Sequence, residues 1–140
     1  MKPEIALPIL IPLLAAAVSV ALWRHIALQR SLAVLATGAL LGTGLVLLWE
    51  VWHGGILVMD MGVWPAPFGI TLVADLLAAI MVVLAGFTGF AVALYSLVSL
   101  DREHENFGYY PLLQLLLAGV CGAFLTGDIF NLFVWFEVML

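Results

Sequence analysis

The stretch Asp128-Ile129-Phe130-Asn131-Leu132-Phe133-Val134-Trp135-Phe136-Glu137-Val138-Met139-Leu140 sets one carboxylate, Glu137, deep inside a run otherwise fit only for lipid or a protein interior. If a helix begins near Asp128, nine residues at about 1.5 Å each carry Glu137 about 13 Å along it, close to the middle of a hydrocarbon core about 30 Å thick. An ionisable group at that depth is costly, and such groups mark proton or ion pathways.

The rest of the chain fits that setting. Of 140 residues, 66% are hydrophobic and 9% charged, and the mean hydropathy is +1.24. A soluble domain carries about a quarter charged residues. The net charge of -5 comes from nine acids scattered along the ends and connections, so it describes no acidic tail, and there is no basic patch for nucleic acid. Cys121 stands alone in an apolar segment, which excludes a disulfide framework or a cysteine-based metal site built from this chain by itself. No cofactor or metal is expected.

Polar breaks divide the chain into five apolar segments: about Ile5 to Trp23, Ser31 to Trp52, Thr71 to Val98, Tyr110 to Thr126, and Ile129 to the end. The first four approach or exceed the roughly 20 residues that a spanning helix needs. An all-α polytopic bundle of about five helices is therefore expected, with Trp23, Trp49, Trp52, Tyr109 and Tyr110 as interfacial aromatics at helix ends. Pro8 and Pro12 fall in the first segment, where a kink is tolerable because neighbouring helices satisfy the freed carbonyls. That run is too long for a secretory signal core and Glu4 dilutes its positive end, so it reads as a retained helix.

Arg24, Arg30 and Arg102 fall in connections on one side, with Lys2 opposite. By the positive-inside rule the N-terminus is outside and the first and third connections are cytoplasmic. The outer connection His53 to Ile70 holds no Lys or Arg. It joins a β-like run, Ile56-Leu57-Val58-Met59, to Gly62-Val63-Trp64-Pro65-Ala66-Pro67-Phe68-Gly69. That pattern predicts a small hairpin pairing Ile56 to Met59 with residues around Phe68 to Leu72, Pro65 and Pro67 lying outside the ladder. The inner connection Asp101-Arg102-Glu103-His104-Glu105-Asn106 lacks any ligand spacing for a metal and reads as a solvated turn. His25 and His53 are lone interfacial histidines without assigned chemistry.

Three blocks together resemble a known family: Thr126-Gly127-Asp128-Ile129-Phe130-Asn131-Leu132-Phe133-Val134-Trp135-Phe136-Glu137, then Trp64-Pro65-Ala66-Pro67-Phe68-Gly69-Ile70 with Gly62 before it, and Asp75-Leu76-Leu77-Ala78-Ala79-Ile80-Met81. The chain is similar throughout to the D subunit of Mrp-type multisubunit sodium/proton antiporters, relatives of the antiporter-like subunits of respiratory complex I and membrane-bound hydrogenases. The resemblance implies that Glu137 is the family's essential membrane glutamate, exchanging a proton and pairing with a lysine on a later helix. The only lysine in this sequence is Lys2. Family members are much longer, so residues 1–140 are expected to be the N-terminal transmembrane part of a larger subunit, stopping within a fifth helix. Implied partners are the other antiporter subunits, Na+ and H+ as transported ions, and the lipid bilayer of the cell membrane.

Independently of the family, a carboxyl group withdrawn from water is favoured neutral and a nearby ammonium favours the charged form, so moving that neighbour switches a proton on or off. The competing account of Glu137 is a neutral acid hydrogen-bonded between helices for packing. Asp75 and Asp128 fall at predicted helix starts, where the dipole stabilises a carboxylate; the alternative is that they line an ion path. Gly119, Gly122 and Gly127 read as close-packing positions. Two further readings stand beside the antiporter, in which the chain is not an enzyme. One is a proton-pumping membrane-arm subunit of a complex I-like or hydrogenase assembly; the other is a non-transporting assembly subunit.

Overall fold

The computed structural model describes residues 3–64 and 68–140. A 3-10 turn, Pro3–Ala6, leads into helix α1, Leu7–Ala21. Pro8 occupies its first turn, where a missing N–H costs nothing, and the helix continues through Pro12. Helix α2 runs over Ile26–Gly54, 29 residues or about 43 Å. It starts five residues before the expected Ser31, because Gln29 and Arg30 find partners on neighbouring elements. It stops at Gly55, whose φ of 80° is one that side-chain-bearing residues rarely adopt.

Strands β1, Leu57–Asp60, and β2, Thr71–Ala74, form the expected hairpin. They are antiparallel, with Leu57 opposite Ala74 and Asp60 opposite Thr71. The second strand lies later than the expected Phe68 to Leu72 and takes residues assigned from sequence to the third helix. Alternation decides this: Leu57, Met59, Leu72 and Ala74 all face inward, and the register places these four on one buried face. The Thr71 hydroxyl donates to Asp60 at 2.8 Å and Met61 N–H donates to the Ile70 carbonyl at 2.8 Å, closing the hairpin. Pro65 and Pro67 lie outside the described residues.

Helix α3 covers Leu76–Ser99, α4 is the short Arg102–Asn106, α5 covers Tyr109–Leu125 and α6 covers Ile129–Met139. Among the described residues, three segments are long and apolar enough to cross a membrane: Glu4–Ala21, Ile26–Gly54 and Leu76–Ser99. The fourth expected span, α5, has 17 residues, about 25 Å, at the short end of the roughly 17–25 residues of a spanning helix. The chain is a multi-pass membrane protein with Trp23, Trp49 and Trp52 exposed at helix ends. Tyr110 departs from the interfacial role: it is fully buried.

Helix α2 packs along α3, and α5 packs against α1, α3 and α6. Their shared core includes Ile5, Ile9, Leu40, Leu47, Leu72, Val82, Leu117, Cys121 and Leu125. Close approach of α2 and α3 depends on Gly86, where an added Cβ would stand 2.9 Å from the Leu41 Cα.

Candidate proton site and the turns that position it

Helix α6 is placed from its first residue. The Asp128 carboxylate accepts from the Asn131 N–H at 2.6 Å, capping the helix. Asn131, 3% exposed, donates in turn to the Thr126 hydroxyl at 2.8 Å. Thr126 bridges Leu72 of β2 in antiparallel sense, and Gly127 N–H donates to the Thr71 carbonyl at 2.7 Å. The hairpin thereby gains a third, one-residue rung and holds the start of α6. Gly127 has to be glycine for this approach, since a Cβ there would stand 2.7 Å from Val73 Cγ2.

Below the cap, Asn131, Trp135 and Met139 recur every fourth residue and form the face that α6 turns toward α5. A Cβ on Gly119 would lie 2.6 Å from Met139 Cγ, and a Cβ on Gly122 would fall inside the Trp135 indole. Gly119, Gly122 and Gly127 are thus the packing positions that their small size suggested. Glu137 is two residues from Trp135, about 200° around the helix, so it projects away from α5. It is exposed, as are Phe133 and Phe136, and among the described residues it has no hydrogen-bond or ion-pair partner.

Asp75 caps α3 by accepting from the Ala78 N–H at 2.7 Å. Asp75 and Asp128 therefore both cap helices at the hairpin end. The antiparallel bridge between Leu72 and Thr126 sends the two chains in opposite directions, so the caps diverge from it rather than forming a carboxylate pair. His53 is turned back on its own helix, its Nδ1 2.9 Å from the Trp49 carbonyl.

At the other end of the bundle the expected solvated turn is exposed at Asp101 to His104 and at Asn106, but Glu105 is buried in a contact with the partly exposed Arg30. Glu105, 1% exposed, receives Arg30 in a two-pronged contact, Nε to Oε1 and Nη2 to Oε2, each 2.7 Å. The Tyr110 hydroxyl donates to the same Oε1 at 2.8 Å. The reason is geometric: α4 returns the chain so that Glu105 faces the first turns of α2, and only a planar guanidinium satisfies both oxygens at once. Hydrogen bonds from Arg30 chiefly hold the Glu105 carboxyl below its ordinary value of 4.5. No spacing signal announces a pair 75 residues apart.

A carboxylate whose native pKa is lowered adds stability that is complete above its unfolded value and is lost as pH falls through the native one. Acidification below about 4.5 is therefore expected to loosen this end of the bundle, seen as a lower melting temperature and faster proteolysis at the α4 turn. Glu105→Gln should cost about 1–3 kcal/mol at neutral pH, by leaving the Arg30 charge poorly matched, and should remove that acid limb. An unchanged melting profile for the Gln variant would show that the clip adds nothing.

No family model matches the chain. Over 140 residues and its full length it is 45% identical to the D subunit of the Na(+)/H(+) antiporter of Alkalihalophilus pseudofirmus and 40% identical to that of Bacillus subtilis. Along its whole length the chain resembles antiporter D subunits. It spans 28% of the length of each of these two relatives. In three dimensions it matches a chain of the Mrp complex from Dietzia sp. with a TM-score of 0.88 and 31% identity, over 99% of this chain and 26% of that one. It also matches a chain of an archaeal respiratory membrane complex, the membrane-bound sulfane sulfur reductase, with a TM-score of 0.90 and 30% identity, over 96% of this chain and 28% of that one. The helices, the hairpin and the hairpin-held start of α6 are thus the architecture of an antiporter-type subunit.

Proposed function

We propose that the chain is part of a membrane subunit of a monovalent cation/proton antiporter and that Glu137 carries the proton. One observation supports this above the others: Glu137 sits on the face of α6 turned away from its packing partner, with no hydrogen bond among the described residues, which is not where a carboxyl serving to glue α5 to α6 would be. A carboxylate there at mid-membrane costs about 2.5–3.5 kcal/mol on insertion scales for acidic residues, so it calls for a reason other than packing. In this reading the hairpin fixes the depth of Glu137, and the Gly119 and Gly122 notches fix its direction. Switching the charge of a neighbour alternately favours the neutral and ionised forms. Asp75 and Asp128, both at the hairpin end, would set the negative potential at the outer mouth of an ion path. The protein works with the other subunits of an antiporter complex in the cell membrane, exchanging cytoplasmic sodium for external protons.

The match to a respiratory membrane complex favours a second reading, in which the same glutamate pumps protons driven by electron transfer elsewhere. Vesicles holding the complex that contains this chain discriminate the two. Antiport predicts that adding sodium, potassium or lithium dissipates an imposed pH gradient with no electron donor present. A gradient that responds only to an electron donor would assign the chain to the redox assembly.

The orientation proposed from Arg24, Arg30 and Arg102 puts His53 outside and Glu103 inside. Single cysteines at these two positions, in a background lacking Cys121, are expected to react with impermeant thiol reagents from opposite sides of the membrane. Reaction of both from one side would overturn this arrangement.

A further inference from the structure

The half of the bundle next to the Arg30 and Glu105 clip has a polar interior that the proposed function does not use. Ser19 on α1, Gln29 and Thr37 on α2 and Gln114 on α5 are each no more than 1% exposed. Thr37 and Gln114 share an acceptor, and Gln29 and Ser19 follow at intervals of about one helical turn in a polar seam. Gln29 Nε2 donates to the Leu22 carbonyl at 3.0 Å, one turn beyond Ser19. Gln114 Nε2 donates to the Ala33 carbonyl at 3.2 Å, one turn beyond Gln29, and the Thr37 hydroxyl donates to that same carbonyl at 2.8 Å. Tyr110, one turn before Gln114 on α5, joins the seam to Glu105 and Arg30.

Among the described residues, three buried oxygens along this seam have no protein partner: Ser19 Oγ, Gln29 Oε1 and Gln114 Oε1. Each would cost about 1–3 kcal/mol if left dry. Exchanging the oxygen and nitrogen of either glutamine would not help, because the amide nitrogen already satisfies a carbonyl and a reversed amide would set oxygen against oxygen. Buried polar groups without protein partners are the groups that hold internal water, which bonds to two to four of them at once. At the surface end, Ile26, Ala27, Arg30, Arg102, Glu105 and Asn106 line a cavity of about 290 Å³. At roughly 30 Å³ per molecule that cavity has room for several waters.

We propose that this seam is a hydrated inlet: water enters at the Arg30 and Glu105 cavity and is bound between α1, α2 and α5 by Ser19, Gln29 and Gln114. The arginine clip ties α4 to α2 across the mouth. The inlet reaches the bundle interior on the side of the chain away from the hairpin, and its existence does not depend on the role given to Glu137.

Thiol chemistry reads this directly, because a thiol reacts as the thiolate and needs water beside it. In the assembled complex, with Cys121→Ala as background, Ser19→Cys and Gln114→Cys should react with 2-aminoethyl methanethiosulfonate at least about tenfold faster than Leu40→Cys, an equally buried apolar position on α2. Ser19→Cys replaces one oxygen by sulfur and decides the matter alone if Gln114→Cys lowers the yield of complex. Ser19→Cys reacting no faster than Leu40→Cys in well-assembled complex would show the seam to be dry. Equal and rapid reaction of both would show that the reagent arrives through lipid, and the inlet would fall with it.

Discussion

Glu137→Gln is expected to leave the amount of assembled complex near wild type while cation-driven proton exchange in vesicles falls by about 100-fold or more, to background. Glutamine keeps the shape and hydrogen-bonding capacity of the protonated acid but has no proton to give up. Position matters as much as charge. The exposed face that carries Glu137 makes no packing contact with α5, so the substitution disturbs neither the Trp135 seat nor the Asp128 cap. Glu137→Asp keeps the charge and withdraws it by one methylene, so partial exchange is expected if water completes the relay. Transport must be normalised to assembled complex. Wild-type exchange by a well-assembled Gln variant would make Glu137 a packing residue and remove the basis of the proposed function.

Gly122→Leu should have the largest effect on structure. A Cβ at Gly122 already falls within the Trp135 ring, and leucine adds three more carbons along the α5 and α6 contact. Overpacking of this kind costs about 1–3 kcal/mol and more where backbone must move. Here α6 can yield only by pivoting about its hairpin-held start, because the Gly127 bond to Thr71 fixes that end. Glu137 would swing with it, so both the yield of complex and the exchange per complex should fall. Adding Trp135→Ala to Gly122→Leu reopens the notch, and the pair should be less damaging than the sum of the single changes. Strict additivity would show that the glycine acts elsewhere than at the indole.

Much of this molecule is legible from the order of its residues. The apolar runs, each bounded by polar residues or aromatics, determine the membrane helices, because the bilayer demands length and apolarity and little else. The run before Trp64 determines a strand, and the acids at Asp75 and Asp128 read as helix caps because a cap is a contact over three residues. Glu137 is conspicuous for the simplest reason: it is a lone acid far inside an apolar helix.

What the order of residues could not decide is set by contacts between distant segments. The register of β2 follows from which alternate residues meet the core, and so does the loss of Thr71 to Ala74 from the third helix. The burial of Glu105 requires Arg30 to be brought across 75 positions, and a charged hexapeptide by itself is indistinguishable from a solvated turn. Likewise the direction of Glu137 depends on two glycines of another helix, which seat Trp135 and Met139 and leave the carboxylate on the opposite side. Local sequence determined the elements, since caps, turns and apolar length act within a few residues. Tertiary packing alone decided which faces meet, because that depends on the shape of a partner surface that no single segment contains.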